Sequence, residues 1–268
     1  MNDAPVLTWN RKEVISDFAE RCNRIGADTD SVMRHFDAFE RYYRSPKTER
    51  LHDDAMILQK RWYDSVTGGH PDLSVYCEQI YLADLLACYL IYSRKYLLQL
   101  RKKFNLMQYR TVDLGCGLGY TTAVLNEMSA NDVFGTYFSE SWQSRFAETV
   151  AEDCGFTLNN DLSSINSVDF VFASEYFEHF EQPVAHLCEE IFPLNFKLML
   201  VANAFNADSC GHFNRGYVVN LQPVTSRAIG RKFNEHMRMH GYERIETGWW
   251  NDRPAVWKQE QTDLYARR

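Results

Sequence analysis

The chain lacks an excess of positive charge. Of its 268 residues, 29 are Lys or Arg and 36 are Asp or Glu, which gives a formal net charge of −7. Such a balance provides no general electrostatic attraction to nucleic acid, although one local basic face would be enough for that purpose. A small-molecule partner is therefore expected, and a nucleic acid is not favoured.

Paired cysteines, a secretion signal and a membrane-spanning stretch are also missing. The seven cysteines are scattered without a C-x-x-C pair, which is typical of reduced thiols. The first residues, Met-Asn-Asp-Ala-Pro, contain no apolar signal segment. The most apolar stretch, 80–100, is too short and is interrupted by Asp84, Arg94 and Lys95. We expect a cytoplasmic protein without a membrane span, of undetermined oligomeric state.

Apolar spacing divides the chain near residue 72. Before that point, three- and four-residue spacing predicts helices over 11–44, with a break at 28–31, and over 51–63. The run Thr67-Gly68-Gly69-His70-Pro71 is a strong turn signal. We therefore predict a helical N-terminal segment or cap over 1–72 and a main domain over 73–268.

The main domain begins with a helical pattern over 73–104, and strands and helices then alternate. Such alternation predicts a doubly wound α/β fold with a parallel sheet covered on both faces. A helix over 223–240 and two final strands joined by a turn at 250–253 predict a terminal antiparallel hairpin. The strands are expected at 110–114, 132–138, 155–158, 169–173, 197–202, 242–249 and 254–259, and the intervening helices at 120–128, 140–153 and 182–191.

The most informative segment is the glycine-rich loop that follows the first strand. Residues 111–122 read Thr-Val-Asp-Leu-Gly-Cys-Gly-Leu-Gly-Tyr-Thr-Thr. Asp113 ends the apolar run, and Gly115, Gly117 and Gly119 follow at alternate positions. Glycines there allow a sharp turn and let a ligand approach backbone N–H groups that a Cβ would block. We predict that this loop holds a nucleotide-like cofactor.

The spacing hydrophobic-Asp-hydrophobic-Gly-x-Gly-x-Gly resembles the first motif of class I S-adenosylmethionine-dependent methyltransferases. It differs from the G-x-G-x-x-G of nicotinamide-linked oxidoreductases, which are therefore disfavoured. The resemblance covers roughly residues 73–260 and implies a Rossmann-like, seven-stranded sheet. It also implies that Gly115, Cys116, Gly117 and Gly119 face the methionine end of S-adenosyl-L-methionine, with Asp113 near its amino group.

The positions that the resemblance assigns to adenosine are less regular. Tyr137 stands where the family has an acid that bonds both ribose hydroxyls, and a phenol cannot accept from both. Phe138 matches a residue that packs on adenine, or it is a core residue. Asp161 matches an acid that accepts from the adenine amino group, or it is a turn aspartate. Weaker cofactor binding is expected, because a carboxylate makes the stronger hydrogen bonds.

The segment Ser174-Glu175-Tyr176-Phe177-Glu178-His179 resembles the strand-four Glu-x-x-Glu-His of ubiquinone-type and small-molecule methyltransferases. We predict that Glu175, His179 and His212 lie near the acceptor and include a general base. In some relatives, including small-RNA 2′-O-methyltransferases, this motif supplies metal ligands. Glu175, Glu178, His179 and His212 are therefore also candidate ligands of a divalent ion, or else capping and hydrogen-bonding residues of a loop.

The prediction is an enzyme that transfers the methyl group of S-adenosylmethionine to an oxygen or nitrogen atom of an unidentified acceptor. Two alternatives stay open. One is a non-catalytic or repurposed protein of the same fold, because Tyr137 replaces the ribose acid. The other is a metal-assisted RNA 2′-O-methyltransferase.

Overall fold

The computed structural model describes residues 5–165, 167–249 and 254–260. Within these residues, a central sheet is covered by helices on both faces. The strands are Thr111–Asp113 (β1), Val133–Gly135 (β2), Thr157–Leu158 (β3), Phe170–Ser174 (β4), Leu198–Ala202 (β5), Val218–Val219 (β6), Gln222–Pro223 (β7), Tyr242–Ile245 (β8) and Ala255–Gln259 (β9). The helices are Arg11–Arg24 (α1), Thr29–Arg44 (α2), Asp53–Thr67 (α3), Ile80–Cys88 (α4), Arg94–Lys103 (α5), Tyr120–Met128 (α6), Trp142–Cys154 (α7), Pro183–His186 (α8) and Ser226–Met239 (α9).

Seven strands form one sheet in the order β3-β2-β1-β4-β5-β9-β8, and β6 pairs with β7 in a small separate hairpin. The pairs among β1 to β5 are parallel. Strand β9 is antiparallel to both β5 and β8. The predicted doubly wound α/β class and the terminal antiparallel strands are confirmed, whereas the predicted turn at 250–253 lies outside the described residues.

The predicted positions of the strands are confirmed, but several strands are shorter than the apolar pattern suggested. The strand expected over 132–138, for example, is limited to Val133–Gly135. It ends there because the backbone N–H of Cys116 donates a hydrogen bond to the carbonyl oxygen of Thr136 at 2.7 Å. A hydrogen bond to the glycine loop thus replaces the next bond of the ladder. Apolar periodicity locates a strand, but it does not show where a neighbouring loop ends it.

The helical pattern expected over 73–104 corresponds to several consecutive helical elements rather than to one regular helix. The segment starts with a 3-10 turn, Leu73–Cys77, and a π-helical turn, Tyr89–Ser93, joins α4 to α5. A second π-helical turn, Leu187–Ile191, continues α8, where one regular helix was expected. Because a π turn closes with i→i+5 rather than i→i+4 hydrogen bonds, approximate three- and four-residue spacing does not distinguish it from an α-helical turn.

The N-terminal helices belong to the same hydrophobic core as the sheet. Val14 and Phe18 of α1 and Phe36 of α2 are buried in one cluster with Leu82 and Phe146. The separation at 72 and 73 stays a prediction, but the described residues on either side of it share this packing. Burial of these side chains fixes α1 and α2 over one face of the sheet.

Candidate active site

A cavity of about 300 Å³ opens at the carboxyl end of the parallel strands. It brings together one group of predicted residues from the loop after β1 with a second group from the loops after β4 and β5. The first group is Asp113, Gly115, Cys116 and Gly117, and the second is Glu175, His179 and His212. Ligands of open α/β sheets bind at this edge, so the cavity is the candidate active site.

The glycine loop presents backbone donors to the cavity. Gly115, Gly117 and Gly119 all have positive φ, which only glycine adopts without strain. The N–H of Gly115 donates to Thr136 Oγ1 at 2.8 Å, whereas those of Gly117 and Leu118 have no acceptor in the described part of the chain. Because these two groups precede the N-terminus of α6, the loop fits the carboxylate of an amino-acid ligand.

Asp113 connects β1 to the start of α6. Its carboxylate accepts hydrogen bonds from the hydroxyls of Thr121 and Thr122, and the residue is only 1% exposed. Burial raises the pKa of Asp113 to about 7, against the effect of the two hydrogen bonds. A cationic amino group in the cavity would stabilise the charged carboxylate, as the predicted contact with the cofactor requires.

The residues predicted for adenosine lie outside the cavity lining, together with Gly119. Gly119 precedes α6, where an added Cβ would be 3.1 Å from the Phe156 ring. Tyr137 is half-buried and Phe138 packs on Tyr76, with ring centroids 5.0 Å apart. Asp161 is exposed and accepts from the backbone of Ser163, the turn role that was its alternative. Their roles in adenosine binding stay predictions.

A tyrosine ring covers the first glycine of the loop. An added Cβ on Gly115 would be 2.7 Å from Cδ2 of Tyr176. The Tyr176 hydroxyl lies 2.9 Å from Nε2 of His186 on α8. Glycine at 115 is therefore required by close approach as well as by φ, and Tyr176 controls the space above the loop.

The loop after β4 holds two carboxyl groups close together. Glu175 has a φ of +54°, an unfavourable conformation for a residue with a Cβ. Glu178 is fully buried, and its Oε1 accepts from the N–H of Ala204 at 2.8 Å. Burial, and then the charge of Glu175, raises the pKa of Glu178 well above its usual range. The neutral form of Glu178 is thus favoured next to a cavity-lining carboxylate.

The two predicted histidines contact one another at the cavity wall. Their ring centroids are 4.8 Å apart and the rings are perpendicular. His179 Nδ1 lies 3.1 Å from the Tyr76 hydroxyl, and burial lowers the pKa of His179 to about 4. An added Cβ on Gly211 would come within 3 Å of the side chains of Tyr76 and His179. His179 is therefore neutral at pH 7 and held in a site that requires glycine at position 211.

The four candidate metal ligands do not form a coordination group in the described part of the chain. Within the described ranges, no group of three or more His, Cys, Asp or Glu side chains has an arrangement that could hold one. Nδ1 of His212 faces the Ala207 carbonyl at 3.2 Å, Nδ1 of His179 faces Tyr76, and Glu178 bonds to backbone. The alternative that depends on Glu175, Glu178, His179 and His212 as ligands stays a prediction.

One wall of the cavity is formed by helices rather than by the loops that follow the strands. It comes from α2 and α4, where the Tyr43 hydroxyl donates to the buried carboxyl of Asp84 and Tyr42 lies next to it. Burial raises the pKa of Asp84 to about 6. Helical periodicity identifies Tyr43 and Tyr81 as residues of a buried face, but it does not show that the face borders a cavity.

Residues 112–192 match the family model described as a methyltransferase domain. The matched segment includes the glycine loop and Glu175 to His179, both of which line or border the cavity. This segment of the chain is therefore similar to a methyltransferase domain. A search of curated proteins found no match. No helix in the described ranges is long and apolar enough to cross a membrane.

Several solved structures are similar to this chain at low identity. The N-terminal domain of EvdMO1, crystallised with SAH and D-fucose, is 19% identical over 41% of this chain and 47% of its own length, about half, with a TM-score of 0.32. Magnesium protoporphyrin IX methyltransferase from Synechocystis PCC 6803 with bound SAM is 14% identical over 78% of this chain and 98% of its own (TM-score 0.42). A putative S-adenosyl-L-methionine-dependent methyltransferase from Methanococcus maripaludis is 16% identical over 65% and 87% (TM-score 0.45). At these scores, none identifies an acceptor.

Proposed function

We propose that this domain transfers the methyl group of S-adenosylmethionine to an oxygen or nitrogen atom of a small molecule bound in the cavity. The observation that carries the proposal is the single cavity shared by the glycine loop and by Glu175, His179 and His212. S-adenosylmethionine supplies a methyl group activated by a positively charged sulfur. The N–H groups of Gly117 and Leu118 would hold its carboxylate, and Asp113 would hold its amino group.

The acceptor would be neutral or positively charged. The described residues that line the cavity include Asp84, Asp113, Glu175 and Asp208 but no Lys or Arg. Tyrosines from α2 and α4 form much of the remaining wall, and aromatic faces attract cations. A small amine or a neutral hydroxyl compound suits this lining better than an anionic acceptor, whose negative charge the carboxylates would repel.

Within this proposal, Glu175 accepts the proton from the acceptor. His179 is a weaker candidate, because burial lowers its pKa to about 4 and it is hydrogen-bonded within the wall. Burial and the neighbouring Glu175 favour the neutral form of Glu178, which makes Glu178 a poor proton acceptor. The remaining contribution of the site is to orient the acceptor and exclude water.

Calorimetric titration with S-adenosylhomocysteine tests the cofactor site. The wild type should bind it saturably, and Gly117→Ala should bind at least about tenfold more weakly, a loss of about 1.4 kcal/mol. Gly155→Ala is the matched control, because Gly155 also has positive φ but lies outside the cavity with open space at its Cβ. Absence of binding to the wild type at millimolar ligand would favour the non-catalytic alternative.

Transfer of labelled methyl to a panel of amines, phenols and carboxylic acids tests the acceptor class. Turnover with an amine or phenol is expected, and turnover only with an anionic acid would contradict the proposal. With the best acceptor, Glu175→Gln should lower kcat by about 10²–10⁴ without changing the affinity for S-adenosylhomocysteine. The exposed Glu181→Gln removes the same charge outside the cavity and should change neither.

A further inference from the structure

A second groove, with a volume of about 520 Å³, lies next to the candidate active site but does not share its lining residues. It is formed by the first turns of α9, by β8 and by the loop after β5. That loop separates the two sites, because Ala204 lines the first cavity and Asn203 lines the groove. Nothing in the proposed methyl transfer uses this groove.

The groove is basic, in contrast to the cavity and to the chain as a whole. Arg227, Arg231 and Arg244 line it, and its described lining contains no Asp or Glu. Across the described ranges, neither Arg227 nor Arg231 has an ion-pair partner, although the net charge is −7. The two lie four residues apart on α9, where like charges repel and destabilise a helix. An uncompensated pair of this kind suggests a ligand that neutralises it.

A glycine within α9 opens the floor of the groove between these two arginines. Gly230 is in the interior of the helix, where glycine is less favourable than alanine by about 1 kcal/mol. Packing does not require it, because an added Cβ would make only an ordinary contact of 3.6 Å with the Phe205 ring. Two locally unfavourable choices therefore coincide at one surface, a pattern that is typical of a functional site.

We propose that this groove binds a small molecule through its phosphate groups. Arginine matches the oxygens of phosphate through paired N–H groups, and three arginines suit a ligand with two or more negative charges. The N-terminus of α9, capped by Thr225, adds a favourable dipole at the same end of the groove. The amides of Asn203 and Asn234 complete the polar lining.

Inorganic pyrophosphate is the probe for this site, titrated into the full chain at constant ionic strength. Saturable binding to the wild type is expected. Arg227→Gln and Arg231→Gln should each weaken it about tenfold or more, since each removes a charge-assisted contact. Lys232→Gln removes the same charge from the same helix outside the groove and should leave the affinity unchanged.

Gly230 provides an independent check that does not reduce charge. Gly230→Ala should raise Tm by about 2–4 °C because it improves helix propensity. Gly230→Leu should abolish pyrophosphate binding while the protein stays folded by circular dichroism.

Three results would overturn the proposal. They are absence of pyrophosphate binding to the wild type, equal loss of affinity in Lys232→Gln and Arg231→Gln, and binding of phosphatidylglycerol vesicles without binding of pyrophosphate. The last result would assign the arginines to a membrane surface. Titration with S-adenosylhomocysteine is independent of all three, so failure here is distinguishable from failure of the proposed methyl transfer.

Discussion

Two buried aspartates of the cavity wall make the stability of the protein depend on pH. Burial raises the pKa of Asp84 to about 6 and that of Asp113 to about 7, both above the value of 3.8 for a free aspartate. In the folded protein each carboxyl group therefore keeps its proton to a higher pH than in the unfolded chain. Their contribution to stability is fully present below about pH 4 and is lost as pH rises through 6 and 7.

Asp84→Asn should become more stable relative to the wild type as pH rises. The variant is neutral at every pH, whereas the wild type must ionise a buried group above pH 6. The difference in the free energy of unfolding should shift by about 2.5 kcal/mol in favour of the variant between pH 4 and pH 8. Urea denaturation at several pH values measures it.

Asp37→Asn on the exposed surface of α2 is the control for this experiment. Its effect should stay within about 0.5 kcal/mol at every pH. If the difference in stability between Asp84→Asn and the wild type did not change with pH, the raised pKa of Asp84 would be contradicted.

Gly211→Ala should displace His179. The added Cβ would be 2.9 Å from His179 Nδ1 and 2.8 Å from the Tyr76 ring, in addition to the cost of φ at +84°. Gly241→Ala has a similar φ of +79° but open space, so it measures the backbone cost of about 1–2 kcal/mol alone. The ¹⁵N chemical shift of the His179 ring should change in Gly211→Ala but not in Gly241→Ala. If both variants gave the wild-type ring shift, the contact between Gly211 and His179 would be refuted.

At the scale of elements, the N-terminal helices are fastened to the domain by polar contacts as well as by the shared core. Arg21 on α1 is 5% exposed, and its guanidinium group pairs with Asp153 of α7 at 2.8 Å. Glu127 of α6 accepts from the backbone of Leu7 at 2.8 Å. These contacts place α1 and α2 so that Tyr43 reaches the cavity.

Phe36→Ala should therefore destabilise the whole protein rather than release one segment. Phe36 is 1% exposed in the shared core, and loss of a buried phenylalanine costs about 3–5 kcal/mol. Asp37→Ala, on the exposed face of the same helix, should change stability by less than about 0.5 kcal/mol. Unfolding followed by fluorescence and by circular dichroism should coincide. Separate transitions would mean that residues 1–72 fold as an independent unit.

Most elements could be predicted because each has an apolar period of its own. The pattern over 120–128 predicts α6 with the bounds that the structure has, and the break at 28–31 corresponds to the Asp28 cap of α2. The π turn at Tyr89–Ser93 could not be predicted, because its hydrogen bonds leave no trace in the spacing of apolar residues. The surface on which α2 packs was equally hidden, since amphipathicity gives a buried face without naming its partner.

At the scale of the whole molecule, the sequence identified loops of the site but not their contacts. The glycine loop and the Glu175–His179 segment were recognised from local spacing. The contact of Tyr76 with His179 joins positions 103 residues apart, and the basic groove combines α9 with β8. Neither arrangement produces a local motif. The basic cluster that is visible in the sequence, Arg101 to Lys103, instead ends α5, where cations stabilise the helix terminus.

The short backbone segment from Asn203 to Asn206 separates the cavity on one side from the basic groove on the other. If a ligand in one site moves this segment, the space available to a ligand in the other site changes. Thermodynamic linkage then requires the effect to be reciprocal. If a ligand in the groove changes the affinity of the cavity for its ligand by some factor, a ligand in the cavity changes the affinity of the groove by the same factor.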